Sequence, residues 1–169
     1  MSSEIVLPII TPIEGTSGPD VFDASADPED IKTYEGNDRV HARGGSDIVD
    51  AGEGNDTVFG GGGADLIDGG EGDDLILGGT GRDTIIGGEG ADTIYGGAGI
   101  DTFVFTRETA IETDHIYGAV DGEFLDVSGF YGIDQEVVGD DLYIYAYVSA
   151  EGRELIAIAH EMTGTFDVI

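Results

Sequence analysis

From Gly15 to Val104 the chain repeats one polar-to-apolar pattern every nine residues, without a gap. Ten units begin at Gly15, Ala24, Thr33, Ala42, Ala51, Gly60, Gly69, Gly78, Gly87 and Gly96, and the most regular read GGEGDDLIL, GGTGRDTII and GGEGADTIY. Position eight is apolar in every unit: Phe22, Ile31, Val40, Val49, Val58, Ile67, Ile76, Ile85, Ile94 and Phe103. Position six is Asp20, Asp38, Asp47, Asp56, Asp65, Asp74, Asp83, Asp92 and Asp101, with Glu29 as the one substitute. A fixed short period of this kind predicts stacked units that each touch mainly their neighbours, an all-β solenoid.

Positions one to six, rich in Gly, Asn and Asp, predict a turn, because glycine accepts positive φ and lets backbone carbonyls converge. Positions seven to nine are extended. Alternation along a strand then sends position eight to one face and positions seven and nine to the other. Two units make one coil of 18 residues, strand, loop, strand, loop, so two parallel sheets pack their position-eight residues between them. Ten units give five coils, roughly 24 Å at ~4.8 Å per strand.

In that geometry, aspartates 18 apart stand about one strand spacing from each other on the same edge. Like charges so close repel unless a cation lies between them. The pairs are Asp38 with Asp56, Asp47 with Asp65, Asp56 with Asp74, Asp65 with Asp83, Asp74 with Asp92, and Asp83 with Asp101. Carboxylates plus backbone carbonyls form a hard, all-oxygen donor set, which suits Ca2+ better than zinc or copper; Mg2+ demands stricter octahedral geometry. The chain has no cysteine, hence no thiolate site and no disulfide framework.

These repeats resemble the RTX (repeats-in-toxin, hemolysin-type) calcium-binding family, including the C-terminal domains of serralysin-type proteases and the R-modules of alginate epimerases. The resemblance implies a right-handed parallel β-roll with calcium held between loops one coil apart. The first loop of each pair would give the carbonyls of positions two and four and its carboxylate. The second would give the carbonyls of positions one and three and its carboxylate. Carried over, this implies Gly36 and Asp38 with Ala51, Glu53 and Asp56, and Gly45 and Asp47 with Gly60, Gly62 and Asp65. It further implies Gly52, Gly54 and Asp56 with Gly69, Glu71 and Asp74, and Gly61, Gly63 and Asp65 with Gly78, Thr80 and Asp83. The last pairs are Gly70, Gly72 and Asp74 with Gly87, Glu89 and Asp92, and Gly79, Gly81 and Asp83 with Gly96, Ala98 and Asp101. About six Ca2+ ions are expected on this count. The unit at Ala24 lacks glycine and has Pro28 between Asp27 and Glu29, and Tyr34 and Arg43 stand where glycine is usual. The ligand set therefore omits Asp20 and Glu29.

The formal net charge is −30 on 169 residues, with 23 of the 30 glycines in the repeat block. Such a chain repels itself, yet 40% of it is apolar and regularly placed. It is expected to fold when counter-charge arrives, unfolded without calcium and folded with it.

Three segments are expected: 1–14, an amino-terminal piece that closes the first coils; 15–104, the calcium-binding β-roll; and 105–169, a carboxy-terminal β cap. Beyond the repeats, Asp114–Tyr117 and Glu123–Phe130 read as strands, and Asp141–Val148 with Glu154–Ala159 as a β-hairpin. The later outward positions are apolar (Phe59, Leu66, Leu75, Leu77, Ile86, Tyr95, Val104), and residues 105–169 are expected to cover much of that face. The ending Phe166-Asp167-Val168-Ile169 is similar to the family's uncleaved type I secretion signal. That resemblance implies export by a type I ABC exporter and an extracellular location.

Residues 1–14 lack a basic start, and Pro8 and Pro12 break their apolar stretch, which argues against a Sec signal or a membrane span. No His-Glu-x-x-His, Gly-x-Ser-x-Gly or cysteine nucleophile is present, and His41, His115 and His160 are scattered in sequence, so no catalytic residue is assigned. The negative field argues against nucleic acid and anionic membranes. The expected function is a secreted, monomeric calcium-binding protein that presents a surface to an extracellular protein or polysaccharide. The alternative is a secretion and folding module of, or accessory to, a larger secreted enzyme.

Overall fold

A computed structural model describes residues 12–106, 113–118, 123–127, 130, 133–138, 141–149, 152–160 and 167–168. All regular elements among them are strands. One sheet holds β1 (Ile13–Glu14), β3 (Asp30–Lys32), β5 (Ile48–Asp50), β7 (Leu66–Glu71), β9 (Thr84–Glu89), β11 (Thr102–Val104), β13 (Phe124–Asp126) and β17 (Asp167–Val168) in that order. The other runs β2 (Val21–Asp23), β4 (Arg39–His41), β6 (Thr57–Gly63), β8 (Leu75–Gly81), β10 (Thr93–Gly99), β12 (Asp114–Tyr117), β16 (Gly152–His160), β15 (Asp141–Ser149) and β14 (Ile133–Val138). From β1 to β14 consecutive strands alternate between sheets, and within the repeat block every pairing is parallel at a register of 18, as in Val49 with Ile67 and Val58 with Ile76. The fold is a parallel β-roll.

The core is the position-eight row. Ile31, Val40, Val49, Val58, Ile67, Ile76, Ile85, Ile94 and Phe103 are buried between the sheets, and Ile116 and Leu125 continue the row. A second inward row was not anticipated: Thr33, Ala42 and Ala51 at position one are fully buried. The strands run on past position nine, as β6 does to Gly63, so position one falls two residues beyond position eight on the same face. Glycine fills that row from Gly60 onward, because at Gly60 a β-carbon would stand 2.5 Å from the carbonyl oxygen of Gly78.

Beyond Val104 the described residues extend the stack at its end. β12 and β13 pair in parallel with β10 and β11, and β16 pairs in parallel with β12. The hairpin expected from Asp141 onward forms as antiparallel β15 and β16, and β14 adds a further antiparallel strand. None of these described strands folds over the outward face, where Leu66 and Tyr95 each remain 40% exposed. The reason is the unsatisfied strand edge at the end of each sheet, which β12 and β13 pair with while keeping the inward apolar residue. Ile13 pairs with Ile31 and packs on the core, so the row begins one nine-residue unit, half a coil, earlier than the repeats. Residues 1–11, with the apolar run from Ile5, lie outside the described residues.

Candidate metal centre

From Asp38 onward the loops turn the position-six aspartates inward. Asp38, Asp47, Asp56, Asp65, Asp74, Asp83, Asp92 and Asp101 are all at most 3% exposed. Each carboxylate from Asp56 on is fixed by the coil before it, because its Oδ1 accepts the backbone N–H of the aspartate 18 residues earlier. The distances are 2.7 Å from Asp38 to Asp56, 2.9 Å from Asp47 to Asp65, 2.7 Å from Asp56 to Asp74, 3.0 Å from Asp65 to Asp83, 2.9 Å from Asp74 to Asp92 and 3.0 Å from Asp83 to Asp101. The second oxygen differs: Oδ2 of all eight is buried and has no hydrogen-bond partner. A buried acceptor left without a partner costs about 1–3 kcal/mol, and more when charged. Eight repeats of that cost mark a donor set built for something other than a proton donor.

What these oxygens face supports a cation. A β-carbon on Gly60 would lie 2.9 Å from Asp65 Oδ2 and 2.5 Å from the Gly78 carbonyl oxygen; one on Gly78 would lie 2.8 Å from Asp83 Oδ2 and 2.6 Å from the Gly96 carbonyl oxygen. An orphan carboxylate oxygen and the position-one carbonyl of the next coil thus converge on one point. Carbonyls at positions two and four project into the next coil in the same way: a β-carbon on Gly61, Gly63, Gly70, Gly72, Gly79 or Gly81 would overlap the carbonyl 18 residues earlier. Only a residue without a β-carbon leaves that inter-coil space open.

Position-three carbonyls also take part in coil-to-coil hydrogen bonds. Glu53, Gly62, Glu71 and Glu89 accept the N–H of Gly36, Gly45, Gly54 and Gly72 at 2.7, 2.9, 2.7 and 2.6 Å. The position-two carbonyls of Tyr34, Arg43 and Gly52 accept the N–H of Glu53, Gly62 and Glu71. Each carbonyl keeps a second lone pair. Ala98 pairs with Thr80 in the same ladder, and the Thr80 hydroxyl donates to the Gly61 carbonyl at 3.5 Å. Among the described residues no three His, Cys, Asp or Glu side chains form a metal-binding cluster. The donor set is therefore carbonyl-rich with few carboxylates, which fits Ca2+.

Burial pushes the carboxyls of Asp47, Asp56 and Asp83 up to about 6 and that of Asp74 up to about 8, with neighbouring carboxylates adding to the shift. Asp65 and Asp101 are raised by burial as well. The backbone N–H that each carboxylate accepts acts in the opposite direction. Removing the charge from water is the dominant effect, and a bound cation would reverse it.

The amino-terminal coils keep the rung bonds, Glu29 giving its N–H to Asp47 Oδ1 at 2.8 Å, and differ in their loops. Tyr34 and Arg43 hold position two at φ of 73° and 71°, the left-handed region glycine usually occupies. Arg43 also bonds Asp23 at 2.5 Å from Nε. Asp20 Oδ2 is already taken by the Thr16 N–H at 2.7 Å and the Thr16 hydroxyl at 2.9 Å. Glu29 accepts the Ser25 hydroxyl.

Sequence reasoning missed two acids and one pairing. Asp114 and Glu123 lie in register with Asp92 and Asp101, since His115 pairs with Thr93 and Phe124 with Thr102. Both are buried, and Asp114 Oδ1 accepts the Asp92 N–H at 3.1 Å, as every lower rung does. Asp114-x-Ile116 and Glu123-x-Leu125 repeat the acid-x-apolar pattern nine residues apart, but Asp114 follows Asp92 by 22 residues, so a strict nine-residue frame passes over it. His115 and His160, distant in sequence, hydrogen-bond ring to ring at 2.8 Å.

A family model described as the RTX calcium-binding nonapeptide repeat (four copies) matches residues 32–67 and 68–103. No curated protein sequence matches the chain. Among solved structures, the extracellular lipase LipA from Serratia marcescens is 18% identical, with a TM-score of 0.39 over 89% of this chain and 40% of the lipase. The AlgE6R3 subunit of the Azotobacter vinelandii mannuronan C5-epimerase is 20% identical, with a TM-score of 0.24 over 92% of this chain and 78% of that one. The chain thus spans well under half the length of the lipase it matches.

Proposed function

We propose, from the match of residues 32–103 to the RTX calcium-binding nonapeptide repeat model, that the chain is a secreted protein whose roll folds on binding several Ca2+ ions outside the cell and then presents a binding surface. The observation that carries this is the row of eight buried Oδ2 atoms without partners, each beside glycine loops whose carbonyls project between coils. About six ions would lie between coils, held by the aspartate pairs from Asp38–Asp56 to Asp83–Asp101 and the loop carbonyls. A bound divalent ion supplies positive charge and an acceptor for those oxygens.

The chain's own residues supply the rest. The carboxylates are pre-aimed by the N–H groups of the preceding coil, so ordering them on folding costs less. The loops keep the inter-coil space open because positions two and four carry no side chain from Gly52 onward. Calcium at ten times Kd contributes about 1.4 kcal/mol per site, so several sites together rival the ~5–15 kcal/mol stability of an ordinary domain. In a calcium-poor cytosol that contribution vanishes and the chain stays unfolded, which suits passage through a type I ABC exporter. The ending Phe166-Asp167-Val168-Ile169 serves as the export signal in this proposal; its central Asp167–Val168 forms β17, and Phe166 and Ile169 lie outside the described residues.

The role is non-catalytic and monomeric, with the paired carboxylates assigned to metal. Residues 105–169 act as the cap. No helix among the described residues is long and apolar enough to cross a membrane. The surface offered to an extracellular protein or polysaccharide is the outward face, where Tyr95 stacks on Tyr117 with ring centroids 5.1 Å apart. Circular dichroism of the full chain with calcium and with chelator tests the proposal. Strand signal that appears only with calcium supports it; strand signal indifferent to chelation refutes it.

A further inference from the structure

The acid ladder does not stop where the nonapeptides stop. In the last complete coil, Asp92 and Asp101 are fully buried, and Oδ2 of each lacks a partner. Each Oδ2 lies toward the position-one glycine of its own loop, 2.6 Å from where a Gly96 β-carbon would stand for Asp101 and closer still to that of Gly87 for Asp92, although the carbonyl that the next coil sets beside Gly60, Gly69 and Gly78 has no counterpart among the nearest atoms here. The next carboxylates along the same two edges are Asp114 and Glu123, 6% and 0% exposed. Asp114 also reproduces the rung geometry, taking the Asp92 N–H on Oδ1 at 3.1 Å.

We infer that Asp114 and Glu123 are calcium ligands, each closing one more inter-coil site: Asp92 with Asp114, and Asp101 with Glu123. The proposal rests on the calcium reading given above and extends it to residues outside any nonapeptide. The lower loops would contribute the carbonyls of Gly88 and Gly90 to the first site and of Gly97 and Gly99 to the second, by the offsets of the earlier pairs. Glutamate replaces aspartate in the second site and reaches one methylene further. The ladder then ends by sequence on one edge, because the residue in register with Asp114 on β16 is Ala157, which has no carboxylate.

These two sites tie the carboxy-terminal strands to the metal-bound roll. β12 would be anchored through Asp114 at its first residue, and β13 through Glu123 just before it. Calcium would therefore order residues beyond the repeats directly, and not only through the packing of Ile116 and Leu125.

The test is the calcium stoichiometry of the full chain, measured by equilibrium dialysis at saturating calcium, for the natural protein, Asp114→Asn, Glu123→Gln and the double variant. Asparagine keeps the Oδ1 acceptor for the Asp92 N–H, so the strand pairing is spared. The expected result is about one ion fewer in each single variant and two fewer in the double. Hydrogen exchange at residues 113–118 should also lose its calcium protection in Asp114→Asn. Ile116→Ala, which removes packing but no carboxylate, should bind the full number at saturation. An unchanged count in both acid variants overturns this inference while leaving the general calcium reading intact. Loss of the same ion in Ile116→Ala also overturns it, since packing and not ligation would then be responsible. A natural protein that binds no calcium removes both.

Discussion

Asp56 donates its backbone N–H to Oδ1 of Asp74, 2.7 Å away and eighteen residues further along the chain. The same carboxylate has a buried Oδ2 with no partner. One side chain thus does two jobs: one oxygen holds adjoining coils together and the other is offered to a cation.

Those jobs separate in Asp74 variants. Asp74→Asn retains an Oδ1 acceptor but loses the charge, so it should stabilise the roll in chelator and destabilise it in calcium, where it weakens the Asp56–Asp74 and Asp74–Asp92 sites. Asp74→Ala also strands the Asp56 N–H, and should cost about 1–3 kcal/mol more than the asparagine variant in calcium. Urea denaturation of the three proteins under both conditions measures this; the same sign for Asp74→Asn in chelator and in calcium would contradict the assignment.

The raised carboxyls set a pH dependence whose sign depends on metal. For an acid whose folded pKa lies above its unfolded value, the folded state holds the proton more tightly. Stability without metal is then greatest below about pH 4, the ordinary carboxyl value, and is lost as pH rises through about 6 for Asp47, Asp56 and Asp83 and about 8 for Asp74. In chelator, strand signal should therefore increase as pH falls from 8 to 4. Calcium competes with those protons, so the calcium midpoint should move to lower concentration as pH rises over the same range.

From Gly36 onward, glycine at position four is required sterically. A β-carbon on Gly63 would overlap the Gly45 carbonyl oxygen, and its φ of 143° is one that other residues rarely adopt. Gly63→Ala should cost about 3 kcal/mol or more. Gly18→Ala, with nothing within 4 Å of the added carbon, should stay within about 0.5 kcal/mol. Thermal unfolding in calcium gives both values, and equal effects would contradict the packing.

The opposite substitution relieves strain near the amino terminus. Tyr34 is held at φ of 73° and its side chain is exposed. Tyr34→Gly should stabilise the roll by about 1 kcal/mol, read from the denaturation midpoint in calcium.

Most of the roll was legible because a nine-residue period fixes the loop, the strand and the register together. Val49 opposite Ile67 and Asp47 below Asp65 follow from counting 18. The buried position-one row of Thr33, Ala42 and Ala51 was not legible, since it depends on how far each strand continues into its loop. Asp114 and Glu123 were hidden for a different reason. Four extra residues shift the frame after Asp101, and only the pairing of Thr93 with His115 shows that space absorbs what the sequence count does not. The expected cover of the outward face falls in part on residues outside those described, and the described strands beyond Val104 pair with the sheet edges.

That choice of edges bears on self-association. A stack of identical parallel coils is a template on which another molecule's coils could continue, producing a fibre. Here one sheet finishes in β17, two residues long, and the other in β14, which runs against its neighbour. β17 gives a newcomer only a short edge to pair with, whereas β14, two reversals on from β16, runs again in the direction of the roll strands, so growth from this end is hindered by the short β17 edge and not by polarity.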